Sequence, residues 1–186
     1  MLNTKVKARI FILFAELLEY PSSLITERTA ECVRLVAPFS NKAAGSLKEF
    51  QQFLAETPQC LVEEIYTSTF DLQAICWPYA GYHLFSDNRQ RGAFLVKLKE
   101  IYRHYDFTLG NEMPDHLAVI MRFLSSIDNN DEINVIVNDC LRPVLDKLLP
   151  VLKEKDNCYY KVFRALSLLL EESHGDLVDD ERRKEA

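Results

Sequence analysis

The chain has 186 residues, a net charge of −6, 48% hydrophobic and 27% charged residues, which is the make-up of a folded globular protein and excludes wholesale disorder. Five glycines and seven prolines are too few for the turn density of an all-β or doubly wound α/β fold, so helices are favoured. The acidic balance disfavours a nucleic-acid surface, and five cysteines without a C-x-x-C pair argue against a disulfide framework or zinc knuckle and for a reducing compartment.

Lys5, Lys7 and Arg9 precede the apolar run 10–15, but Glu16 ends that run after six residues. That is shorter than the ~7–15 residues of a signal-peptide core and far short of the ~20 of a membrane span. The run is read as part of the first core helix of a cytoplasmic protein.

Helical periodicity then follows along most of the chain. A first helix over residues 3–19 puts Val6, Ile10, Phe14, Leu17 and Leu18 on one side, and Pro21 stops it. Ser22 and Ser23 can cap a second helix reaching residue 37, before Pro38. A third carries Leu47, Phe50 and Leu54 and ends before Pro58. In the fourth, 58–70, Leu61, Val62, Ile65, Tyr66, Thr69 and Phe70 share one arc, with Glu64 and Asp71 opposite.

Residues 71–88 are irregular, broken by Pro78 and Gly81. A helix over 89–105 follows, with Phe94, Leu98, Ile101, Tyr102 and Tyr105 on its face, and then a loop to residue 113. Pro114 suits the first turn of the next helix, whose stripe is Leu117, Ile120, Met121 and Leu124. After a turn at 128–131, a long helix carries Ile133, Ile136, Leu141, Val144 and Leu148, and Pro143 is placed to kink it. The last helix, 157–172, buries Val162, Phe163, Leu166 and Leu170. Gly175 ends the pattern, and the charged residues 176–186 are expected to fray. The fold expected is all-α: a single helical bundle of about eight helices formed by residues 1–175.

Charge and rings are unevenly placed. From Glu49 to Asn88 there are six acids (Glu49, Glu56, Glu63, Glu64, Asp71 and Asp87) and no Lys or Arg, which equals the whole net charge. Six of the twenty residues 66–85 are aromatic, where an overall content of 11% predicts about two. Core filling explains such rings individually. Together with the acids they also suit a groove with an aromatic floor and an acidic rim, a receptor for a basic amphipathic helix.

The strings Leu18-Glu19-Tyr20-Pro21, Glu64-Ile65-Tyr66-Thr67-Ser68-Thr69-Phe70-Asp71, Gly81-Tyr82-His83-Leu84-Phe85, Asp87-Asn88-Arg89-Gln90-Arg91-Gly92 and Met113-Pro114-Asp115-His116-Leu117 occur in that order. In this the sequence resembles the NarJ branch of the NarJ/TorD family of molybdoenzyme chaperones, the nitrate reductase delta-subunit family. The likeness covers about residues 13–125, and no motif matches after Ile127. It implies a TorD-like, all-helical, non-catalytic cytoplasmic chaperone, a monomer or weak dimer. Such a chaperone binds the N-terminal segment of a molybdoenzyme catalytic subunit, here respiratory nitrate reductase. It holds that subunit until the molybdenum cofactor is inserted and before membrane attachment. No cofactor is bound permanently, and contact with molybdopterin guanine dinucleotide is transient, through the client.

Groove and resemblance together assign client-peptide binding to Glu64, Tyr66, Phe70, Asp71, Tyr82, His83, Phe85, Asp87, Arg91, Asp115 and His116. Asp115 is also expected to cap free N–H groups in the first helical turn, and His116 to be a partly buried histidine. Neighbours on a helix point ~100° apart, so these two cannot form a catalytic acid–base pair. No metal site is expected. An all-α metal phosphohydrolase would need His-Asp in that order and further histidine ligands, whereas here the order is Asp-His and only His83, His104 and His174 remain. No glycine-rich phosphate loop is present. A plain helical scaffold shares the periodicity but does not require the ring-rich, base-free segment.

Overall fold

The computed structural model describes residues 4–72, 74–85 and 87–172. Nine helices stand among them: α1 Thr4–Leu17, α2 Ile25–Val36, α3 Asn41–Glu56, α4 Gln59–Phe70, the short α5 Ala80–Leu84, α6 Asn88–His104, α7 Leu117–Ser126, the long α8, and α9 Tyr159–Glu172. Helix α8 runs from Asn130–Ile136 through a π-helical turn, Val137–Leu141, into Arg142–Glu154. The expected tail at 176–186 and the helix-ending Gly175 lie outside the described residues.

The core is one continuous cluster of apolar side chains drawn from every long helix. Helix α1 packs along α7 and α2, α3 packs between α2 and α9, and α9 lies against the second half of α8. Phe14, Leu13 and Leu17 of α1 and Phe50 of α3 are fully buried, as the 3.6-residue stripes require. Helix α6 is peripheral: of its seventeen residues only Leu98 and Tyr102 are buried.

Side-chain caps fix the starts of several helices. Ser40 Oγ accepts from Ala43 N at 3.0 Å, Asp87 Oδ1 from Gln90 N at 2.8 Å, and Asn129 Oδ1 from Asp131 N at 3.1 Å. Asp106 takes φ of 50°, which aspartate tolerates, and lets Phe107 N return to Tyr102 O to close α6.

Four local expectations are corrected. Ser22 and Ser23 form a turn and do not cap α2; Leu24 is its N-cap residue. Leu61, placed in the buried arc of α4, is 46% exposed. Five residues of the irregular 71–88 stretch form α5. Pro143 does not simply kink α8. It lacks an N–H and its ring crowds the carbonyl of Asp139, and the helix answers with a wider turn in which Arg142 N bonds to Val137 O.

Phe70 belongs to the core rather than to an open surface. Its ring packs 4.8 Å from Tyr159, 5.1 Å from Tyr66 and 6.1 Å from Phe163, centroid to centroid. Phe70→Ala is therefore expected to cost about 3–5 kcal/mol, while Leu61→Ala stays within about 0.5 kcal/mol. Urea unfolding of the two variants checks this, and equal midpoints would contradict the packing.

Candidate functional site

The segment 77–82 hangs on the strand-like residues before α7. Tyr79 and His116 form an isolated antiparallel bridge. Leu117 N donates to Pro78 O and Ala80 N to Asp115 O, both at 2.8 Å. Pro114 and Asp115 form a turn closed by His116 N to Met113 O at 3.1 Å, and the pairing holds His116 extended, so α7 begins at Leu117 and not at Pro114. The cap is His116: its Nδ1 accepts from Ala118 N at 3.2 Å. Asp115 is thus not the first-turn cap expected of it.

Asp115 is instead the buried anchor of the region, with 0% exposure. Its Oδ2 accepts from Gly81 N at 3.2 Å, Arg91 Nε at 3.3 Å and Arg91 NH2 at 3.2 Å, while Oδ1 meets no donor among the described residues. Only glycine fits at 81: a Cβ there would lie 2.8 Å from both Arg91 Cγ and Asp115 Oδ2. The Arg91 guanidinium also lies 3.9 Å from the centroid of the Tyr82 ring, a cation–π contact. Tyr82 is 50% exposed and stacks on Trp77, itself 42% exposed, at 5.9 Å. His83 Nε2 donates to Trp77 O at 2.7 Å, and its own carbonyl accepts from Lys147 Nζ of α8.

A second part of the site lies where α4 meets the α1–α2 loop. Tyr66 is half-buried, donates its hydroxyl to Leu18 O at 3.2 Å, and meets Tyr20 edge-on at 5.5 Å. Tyr20, Glu63, Glu64, Thr67 and Leu72 line a depression of about 370 Å³. Burial, with the charges of Glu19, Asp71 and Glu112, pushes the Tyr66 hydroxyl up to about 12. Tyr79 is likewise pushed up to about 12 by burial and by Glu112, to which it donates at 3.1 Å. Asp71 and Glu112 therefore act on both rings. None of Glu63, Glu64, Asp71 and Glu112 takes part in an ion pair among the described residues, whereas Glu19 is held by Arg122 at 2.6 Å.

Of the eleven residues assigned from the sequence, Glu64, Tyr66, Asp71, Tyr82, His83, Arg91, Asp115 and His116 are linked by these contacts and charges. Phe70 lies beneath them in the core. Phe85 turns away, its ring tilted against Phe94 of α6 at 5.3 Å between centroids. Asp87 is spent capping α6. Sequence reasoning missed Tyr20, Trp77, Gly81 and Glu112 as site residues. The Tyr-Pro at a helix end and the glycine beside Tyr82 were visible, but their meaning depends on long-range pairing.

Asp115 Oδ2 is committed to Arg91 and Gly81 and His116 Nδ1 to the Ala118 N–H, so the two do not face each other as an acid–base pair. Among the described residues no group of three His, Cys, Asp or Glu side chains could hold a metal ion.

Burial holds the His116 pKa below its usual 6.5, outweighing the raising influence of Glu112, Glu19 and Asp115. In the window between the lowered value and 6.5 the unfolded chain binds a proton that the folded chain refuses. Stability therefore rises with pH across that window and is lost as pH falls through it. His116→Asn keeps a capping acceptor but cannot titrate, so it should flatten this dependence, leaving only the share due to His83, whose pKa is also lowered by burial. Urea unfolding at steps from pH ~5 to ~7.5 reads the slope; an unchanged slope would remove His116 as its source.

The fold has a solved counterpart: a crystal structure described as a redox enzyme maturation protein from Archaeoglobus fulgidus superposes with a TM-score of 0.63 at 22% identity, over 88% of this chain and 93% of that one. In sequence, the chain is 24% identical over 180 residues to the Bacillus subtilis protein described as the nitrate reductase molybdenum cofactor assembly chaperone NarJ, covering 91% of this chain and 92% of that protein. It is 23% identical over 159 residues to the chaperone of the same name from Escherichia coli K12, covering 83% of this chain but only 66%, just under two thirds, of that longer protein. The model of the nitrate reductase delta subunit family matches residues 37–165, a span that takes in the anchor Asp115, its partners Gly81 and Arg91, and most of the acidic face, and the chain belongs to that family.

Proposed function

We propose that this chain is an assembly chaperone for a molybdoenzyme, with a respiratory nitrate reductase as its client. Its acidic, ring-bearing face receives the N-terminal segment of the client's catalytic subunit and holds it in the cytoplasm while the molybdenum cofactor is inserted. The names of its relatives supply the client class. The observation that carries the reading is the face itself: exposed Tyr20, Trp77 and Tyr82 beside Glu63, Glu64, Asp71 and Glu112, none of which is in an ion pair among the described residues.

Such a face recognises a basic amphipathic helix in two ways. Apolar anchors on the rings provide affinity, and the carboxylates steer the approach. The cofactor is the client's cargo, and this chain's residues meet it only through the client. No helix among the described residues is long and apolar enough to cross a membrane.

Glu64 and Asp71 are both exposed, so replacing them leaves the packing intact. Glu64→Lys with Asp71→Lys is expected to slow association of the client's N-terminal peptide by about tenfold at low salt and to flatten its salt dependence, with little change in dissociation. Peptide-binding kinetics at two ionic strengths, wild type against double variant, decide it. Identical low-salt association rates would show that this face is only solvated surface.

A further inference from the structure

Between α6 and the first half of α8 lies a cleft of about 530 Å³, remote in composition from the acidic face. One wall is a single face of α6: Phe94, Lys97 and Ile101 recur at helical spacing from the Gln90 end. At 1.5 Å per residue this wall is ~16 Å long, about three helical turns. The opposite wall carries Val135, which is 51% exposed, and Asp139, which lies in the π-helical turn. Such turns are frequent at functional sites, although Pro143 by itself accounts for this one. Phe85, assigned from sequence to the client site, closes one end of this cleft.

One charged side chain stands on each wall, Lys97 on α6 and Asp139 opposite, and the other residues lining the cleft are uncharged. Yet no ion pair among the described residues joins the walls. Opposite charges are held apart across an apolar floor, and only two side chains of α6 are buried. An apolar seam flanked by opposite charges is the pattern by which paired helices choose partners.

We propose that this cleft is a docking groove for an amphipathic helix of a partner protein. The helix is about three turns long, lays its apolar face on Phe94, Ile101 and Val135, and carries carboxylates on the flank toward Lys97 and Lys or Arg on the flank toward Asp139. This groove is independent of the client-peptide face and does not rest on it.

The test uses the full chain and three labelled helical peptides of about 14 residues with the same leucine stripe: one with a Glu flank and a Lys flank, one with Glu on both, one with Lys on both. Fluorescence anisotropy reads binding. The mixed peptide is expected to bind with Kd on the order of 10 µM and about tenfold more tightly than either single-sign peptide. Lys97→Glu makes both walls acidic and should transfer the preference to the all-Lys peptide. Ala93→Trp, at an exposed cleft position, should abolish binding without lowering the unfolding midpoint. Equal binding of the three peptides, no binding of any, or a preference that ignores Lys97→Glu would overturn the proposal. So would concentration-dependent self-association abolished by Ala93→Trp, which would make a second copy of this chain the occupant.

Discussion

The carboxylate of Asp115 is sealed from water, and the geometry of the surrounding surface follows from what keeps it there. Removing a charge from water costs several kcal/mol unless a partner and hydrogen bonds replace the solvent. Here the replacement is Arg91 on one side and the Gly81 N–H on the other. Each donor comes from a different element: Arg91 from α6, Gly81 from α5, the acceptor from the run into α7. One charge thus ties together three elements, adding to the backbone bonds between 78–80 and 115–117. Arg91 also stacks on Tyr82, so the same cation that neutralises Asp115 sets the exposed Trp77–Tyr82 pair. Pre-set rings lose little entropy on binding, which is where a rigid aromatic patch gains affinity.

Helix periodicity made most of the fold legible in the sequence. The stripes of α1, α3, α7, α8 and α9 fall where the apolar spacing put them, because a bundle buries its helices by those stripes alone. What escaped local reasoning was set by distant pairing. Pro114-Asp115 has the look of a helical first turn, but it forms a turn closed by His116 N to Met113 O, and the bonds from Pro78–Ala80 to Asp115–Leu117 hold His116 extended, which delays the helix to Leu117. Leu61 follows the apolar arc of α4, yet no neighbour covers that edge. The aromatic-rich segment was visible as a composition. Its division between core (Phe70), acidic face (Tyr66, Tyr82) and the far cleft (Phe85) was not, because an aromatic residue reads alike in all three settings.

Charge segregation gives the molecule two unlike surfaces. The base-free stretch 49–88 supplies the exposed acids around Tyr20, Tyr66 and Tyr79, while α6, next in the chain, concentrates positive charge beside an apolar cleft. Helix α5 and residue Arg91 sit between the two.

Trp77 is the only tryptophan in the chain, and it stands on the ring pair that the Asp115–Arg91–Gly81 cluster positions. Its fluorescence therefore reports directly on the central claim that the buried cluster organises the face proposed to bind the client. The measurement is a titration of wild type and Gly81→Ala with the N-terminal peptide of a nitrate reductase catalytic subunit. The wild type is predicted to show a saturable change in Trp77 emission. Gly81→Ala, whose added Cβ displaces Arg91 and Asp115, is predicted to remain helical with an altered resting spectrum and at least about tenfold weaker binding. Wild-type affinity and an unchanged Trp77 spectrum in a folded Gly81→Ala variant would contradict the account.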